Sequence, residues 1–180
     1  MTPAPETLAP ERVVPRLRGS FGQPYLYAAE TGSTQRMPPP DAPHGAVAVA
    51  EHQTEGRGRL GRVWIDEPGA GIALSIVLQP PPPVARWPEL TLVGAEAVAA
   101  AIGPGASIKH PNDVLVEGRK VAGILAEANE RVVLGIGVNV GRAPWPGAGS
   151  VDRGRVELLV EILERLEAGY EAWLGRLTAR

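Results

Sequence analysis

The sequence predicts an α+β fold with a mixed or antiparallel β-sheet. Three observations carry that prediction. The middle of the chain is a series of short apolar runs of strand length. Proline and glycine clusters punctuate those runs. Two segments, 88–102 and 152–177, instead space their apolar residues as a helix does.

Residues 1–24 read as an irregular, loosely packed arm, because the first 20 are proline-rich. Tyr25 to Ala28 has the character of a short strand that ends at TGSTQ, residues 31–35. The RMPPPDAPHG that follows cannot be a helix. AVAVAE (46–51) reads as a buried strand, and EGRGRLGRVW (55–64) links it to a further strand, GIALSIVL (71–78). PPPP ends that strand. Leu90, Val93, Ala97 and Ala101 then share one face of an alanine-rich helix. Short strands follow at 106–109 and 114–116, with Glu117-Gly118 turning a hairpin into 120–127. A longer strand covers 131–140, and GRAPWPGAGS forms a loop after it. The last helix carries Val156, Leu159, Leu163, Leu166, Tyr170 and Trp173 as a core stripe.

At 180 residues the chain fits one domain with a substantial core. A formal charge of −2 argues against a general nucleic-acid or membrane-surface binder, so any basic site is local. The absence of cysteine excludes disulfides, thiolate metal sites and cysteine nucleophiles. No apolar run approaches the ~18 residues of a membrane helix, and the first residues lack a signal-peptide core. A cytoplasmic location is expected. Sixteen of the 18 basic residues are arginine, which singles out Lys109 and Lys120 as positions needing a compact charge on a flexible stem.

Four segments bear chemistry. Gly56 to Arg62 packs three arginines and three glycines into seven positions between two strands. Arg57, Arg59 and Arg62 are candidates to meet phosphate or carboxylate oxygens, with the glycines letting backbone approach, although a solvated flexible loop has the same composition. Trp64 either covers a flat ligand or packs under the loop. In KHPNDVLVEGRKVAGIL (109–125), Lys120 is a candidate anion ligand and Asp113 a candidate for Mg²⁺ or a hydroxyl; a hairpin with polar residues in water is the alternative. In LGIGVNV (134–140), Gly135, Gly137 and Asn139 share one strand face, left bare either for a flat ligand or for a close-packed helix. TGSTQ offers neutral donors and acceptors for an uncharged polar group, or simple cap chemistry.

Together and in this order, TGST, EHQTEGRGRLGRVW, KHPND…GRKVAGIL and GIGVNV resemble the catalytic domain of biotin protein ligases, from about Tyr25 to Val140. The resemblance implies a mixed, mostly antiparallel sheet flanked by helices over 25–180; family members often add a C-terminal barrel and some an N-terminal helix-turn-helix domain, and neither is expected here, with about 24 residues before the match. It implies an enzyme that makes biotinyl-5′-AMP from biotin and Mg·ATP and then biotinylates one lysine of a carrier protein, the alternatives being a non-catalytic biotin- or adenylate-binding module and a lipoate-type ligase. Ser33, Thr34, Gln35 and Gln53 would hold the ureido ring, with Gly123, Gly135 and Gly137 along the biotin. Arg57, Gly58 and Arg59 would cap the pocket. Lys120 would hold the carboxylate and α-phosphate, with Arg59 and Asp113 as its partners in catalysis and Asp113 on the metal. Arg57, Arg59, Arg62, Trp64, Asn112, Lys120, Asn139 and Trp145 would serve the nucleotide, Trp145 by stacking on adenine.

The family's usual acceptor, the biotin carboxyl carrier protein of acetyl-CoA carboxylase, is the expected partner; neither DNA nor membrane is. A homodimer through a sheet edge is compatible with the pattern. His110 and Gln35 depart from the family, which usually has tryptophan and asparagine there, and His110 reads as a wall substitution. Without ligand, the arginine loop is expected to be mobile.

Overall fold

The computed structural model describes residues 6–179. Seven strands form one sheet in the order β1-β2-β3-β7-β6-β5-β4. They are β1 (Tyr25–Thr31), β2 (Val47–Gln53), β3 (Gly71–Leu78), β4 (Ala106–Lys109), β5 (Asp113–Val116), β6 (Arg119–Ala128) and β7 (Val132–Asn139). Only β1 and β2 run parallel; every other pair is antiparallel. The expected mixed, mostly antiparallel sheet is what the chain builds.

Strand β3 has the predicted bounds because all eight of its residues are buried, so an apolar run interrupted only by Ser75 marks it. Strand β1 runs three residues further than its apolar stretch implies. It pairs with β2 as far as Thr31, although Ala29 and Glu30 face solvent on this edge of the sheet. Glu117 and Gly118 both take positive φ, 51° and 74°, as a two-residue turn between β5 and β6 requires.

Helix α2 (Glu89–Ile102) packs on the sheet against β6 and against helix α3 (Arg155–Thr178). Their apolar stripes meet the helix-facing residues of the central strands, Leu74, Ile124, Leu134 and Ile136, in one core. The opposite face of β3, β6 and β7 is left to the site.

The N-terminal arm is not loose. Residues 10–13 form a short helix, α1, and Leu8, Val13 and Phe21 are buried in the main core. A polar cluster fastens the arm. Glu51 accepts from Leu8 N and Thr7 Oγ1 and forms a 2.7 Å ion pair with Arg155, whose Nη1 also reaches Glu6 O. Burial alone would raise the Glu51 carboxyl. The donors around it, Leu8 N and Arg155 foremost, hold it below its ordinary value instead. The proline loop is fixed as well, since Arg131 donates to the carbonyls of Pro38, Pro40 and Ala42.

Candidate active site

The site lies on the sheet face away from the two long helices. Register explains why that face is open. Ser75 and Leu125 flank Gly135, and Ala73 and Gly123 flank Gly137, so the centre of the sheet here has almost no side chains. A cavity of ≈ 370 Å³ opens above it.

At one end the side chains are neutral. Ser33 and Thr34 are buried at the short turn Thr34–Arg36, where Ser33 Oγ accepts from Gln35 N. Gln53, the last residue of β2, accepts through Oε1 from both the amide and the hydroxyl of Thr34. The Thr34 hydroxyl lies 2.8 Å from Ser75 Oγ. Ser75 was missed in the sequence, although it is the one polar residue in β3. Gln35 spans two strands, donating to Leu125 O and Val133 O.

At the other end the groups are charged. The Lys120 ammonium is 2.9 Å from Asp113 Oδ1, and Arg59 donates to Asn112 Oδ1 at 3.1 Å. Asn112 is itself fixed to Ile124, accepting from its amide and donating to its carbonyl.

The position of Lys120 depends on an irregularity. On a regular strand, residues three apart point to opposite faces. Lys120 and Gly123 nevertheless both line the cavity. The β5–β6 register slips by one residue, with Val114 opposite Ala122 but Leu115 opposite Lys120, so Val121 is the extra residue of a bulge. The bulge turns Val121 into the core and Lys120 into the site.

The arginine loop closes the cavity from above. It is pinned by Gly58 N to Arg62 O at 2.8 Å and by Trp64 N to Gly56 O at 3.0 Å. A Cβ on Gly56 would stand 2.3 Å from Trp64 O, so the close approach requires glycine there. The loop's far end is tied to β2 through Asp66, which lies 2.6 Å from His52 Nδ1 and accepts from Gln53 N. Burial raises the Asp66 carboxyl despite these hydrogen bonds. In the structure Arg57 of the loop pairs with Glu127, and Arg59 donates to Asn112.

All the predicted site residues but one line this cavity. The exception is Asn139, which is buried and donates to Gly149 O at 2.9 Å. Its amide nitrogen holds the loop after β7 in place. His110 and Lys109 are exposed and do not line the cavity, so His110 is no wall substitution. Among the described residues, side chains from two loops rather than a helix lie against the glycine face of β7. The Trp64 indole lies on Gly137 and Gly123, and the Gln35 carboxamide lies on Gly135. Trp64 therefore packs under its own loop, with the Lys120 ammonium 5.8 Å from its ring centre.

Among the described residues, three buried side-chain polar atoms lack a hydrogen bond: Gln35 Oε1, Trp64 Nε1 and Asp113 Oδ1. The 2.9 Å contact of Asp113 with Lys120 is an ion pair without hydrogen-bond alignment. All three atoms belong to residues of the one cavity. Orphaned buried polar atoms are uncommon, and gathered in one cleft they mark where a ligand's own polar atoms belong.

A sheet with this face and these two unlike ends defines a small-molecule site, and comparison with known proteins supplies the family. A model of the Biotin/lipoate A/B protein ligase family matches residues 28–141. The bifunctional ligase/repressor BirA of Bacillus spizizenii is 41% identical over 134 residues, covering 67% of this chain and 41% of that protein. The biotin--[acetyl-CoA-carboxylase] ligase of Mycobacterium tuberculosis is 39% identical over 170 residues, 81% of this chain and 63% of the relative. The biotin protein ligase of Aquifex aeolicus in complex with biotin and ATP superposes with a TM-score of 0.73 at 30% identity, over 83% of this chain and 71% of that one. The chain belongs to the biotin/lipoate A/B protein ligase family. It spans 41% to 63% of the length of the two curated relatives named above.

Proposed function

We propose that this chain activates biotin with Mg·ATP as biotinyl-5′-AMP and transfers the biotinyl group to a lysine of a biotin carboxyl carrier protein of acetyl-CoA carboxylase. The observation that carries the reading is the polarity of the cavity. Neutral hydrogen-bonding groups (Ser33, Thr34, Gln35, Gln53) stand at one end, and Lys120, Arg59, Asn112 and Asp113 at the other. A ligand with a polar uncharged ring and an acid tail matches that sequence of environments. A lipoyl dithiolane has no N–H or C=O to use the neutral end, which favours biotin over lipoate.

The chemistry follows from charge. In the first step a biotin carboxylate oxygen attacks the α-phosphorus of ATP, and the bond to the bridging oxygen breaks with release of pyrophosphate. Two anions must come within bonding distance, so their repulsion is the main barrier. Fixed cations aimed at the developing charge lower it, and one such group typically contributes about 2.7–4 kcal/mol. Lys120 and Arg59 come from distant parts of the chain and meet through the line Arg59–Asn112, Asp113–Lys120.

Mg²⁺ enters with ATP as part of the substrate and is commonly held by one or two carboxylates plus phosphates and water. Asp113 is the one carboxylate among the described residues lining the cavity, which makes it the candidate for that role. In the second step the neutral lysine amine of the carrier attacks the acyl carbon, AMP leaves, and the amine loses its proton. The arginine loop, closed over the cavity, keeps water from the mixed anhydride meanwhile.

No helix of the described residues is long and apolar enough to cross a membrane. A cytoplasmic location and a possible homodimer remain part of the proposal. The test is direct: incubate the protein with labelled biotin, Mg·ATP and a carrier domain. Label on the carrier lysine supports the reading, while no transfer with biotin, or equal transfer with lipoate, overturns it.

A further inference from the structure

We propose that Glu127 is a positioning residue that holds the arginine loop shut over the ring end of the cavity through Arg57. The proposal rests on the reading of the cavity given above. Arg57 Nη2 is 2.8 Å from Glu127 Oε1, and Nη1 is 3.3 Å from Oε2, a two-toothed pair. Its place on the sheet gives it meaning. Lys120 and Glu127 are seven residues apart on β6, which at ~3.3 Å per residue separates them by roughly 20 Å. Between them, Gly123 underlies Trp64 and the Leu125 carbonyl holds Gln35. Glu127 therefore lies beyond the neutral end of the cavity, and Lys120 at its anionic end.

The loop's first two arginines are accordingly splayed. Arg59 reaches Asn112 beside Lys120, whereas Arg57 is drawn the opposite way. A biotin-like ring carries no charge, so no substrate group at that end can neutralise a guanidinium. Glu127 supplies the counter-charge from the protein itself.

The hold on Arg57 extends to the ring of Trp64. Arg57 and Val63 form a β-bridge, and the neighbouring residues Gly56 and Trp64 share a hydrogen bond, so the two sides of the loop move together. Releasing Arg57 frees the strip of backbone that seats the indole on Gly137.

The experiment uses trypsin on the ligand-free protein, with cleavage after Arg59 and Arg62 followed by mass spectrometry. Glu127→Gln is expected to speed both cuts by about two- to fivefold, the range that a half-exposed ion pair supports. The charge swap Arg57→Glu/Glu127→Arg is expected to return the rate toward that of the unaltered protein. In turnover, Glu127→Gln is expected to raise KM for biotin by a similar factor and leave KM for ATP unchanged. Cleavage of Glu127→Gln at the unaltered rate, or a swap cut as fast as the single variant, overturns the latch. A fall in KM for ATP overturns it as well, because it would show Arg57 released to a phosphate. Should the proteolysis behave as expected while the unaltered protein fails to biotinylate a carrier, the latch stands and the ligase reading falls.

Discussion

Replacing Gly137 by alanine tests the seat of the loop. A Cβ at that position would stand 2.4 Å, 2.6 Å and 2.8 Å from Cε2, Cζ2 and Nε1 of Trp64. Carbon atoms rest at about 3.5–4.0 Å, so the indole has to retreat by roughly 1 Å or more. Gly137 is the central strand partner of both Ala73 and Gly123, and the sheet cannot shift to make room. The loop is the softer element. Overpacking of this kind costs about 1–3 kcal/mol. If the loop closes only with the indole seated, that cost reappears in ligand affinity as roughly a 5- to 150-fold rise in the Kd for biotin.

Calorimetric titration reads the affinity, and tryptophan emission shifting to the red reports the displaced ring. The companion variant Trp64→Ala removes the obstacle. In the double variant, the added penalty of Gly137→Ala should vanish, giving a coupling of about 1–3 kcal/mol. An unchanged biotin Kd in Gly137→Ala, or penalties that simply add, would refute the argument that this glycine exists to admit Trp64.

Other expectations follow from the same geometry. Ser75→Ala removes one partner of the buried Thr34 hydroxyl but leaves Gln53, so the biotin Kd should weaken by about 1 kcal/mol, or roughly fivefold, with little change in KM for ATP. Glu51→Gln leaves Arg155 without its counter-charge and should cost about 3 kcal/mol by denaturant unfolding at pH 7. Because the folded Glu51 pKa is depressed below 4.5, its contribution is present above that value and lost as pH falls through the folded pKa; the gap between variant and parent should therefore narrow as pH is lowered below 4.5.

Much of the fold was legible because burial follows local pattern. Strand β3 declared itself as an apolar run interrupted only by Ser75, and helix α3 by a stripe from Val156 to Trp173. The arm was misread because prolines in the first 20 residues outweighed Leu8, Val13 and Phe21. What anchors that arm, Glu51 and Arg155, lies far along the chain and has no local signature.

The site divides in the same way. Its motifs marked the cavity wall, since loops rich in arginine, glycine and asparagine have few structural uses. Strand alternation by itself does not bring Lys120 and Gly123, three residues apart, to one face, because a one-residue bulge does not show in alternation. It also presented Asn139 with the two glycines as a ligand-facing row, although its amide is committed to Gly149 O. The bare glycine face was correctly seen as a place of close approach, but the visitors are Trp64 and Gln35, both brought in by loops. Ser75 and Glu127 gain meaning only from partners at 34 and 57.

The most direct test is single-turnover release of pyrophosphate from Mg·ATP and biotin by Lys120→Ala. Convergent cations overcoming the repulsion of two acids predict a rate lower by about 10²–10³-fold, with the melting temperature little changed. Pyrophosphate release at the parental rate would contradict it.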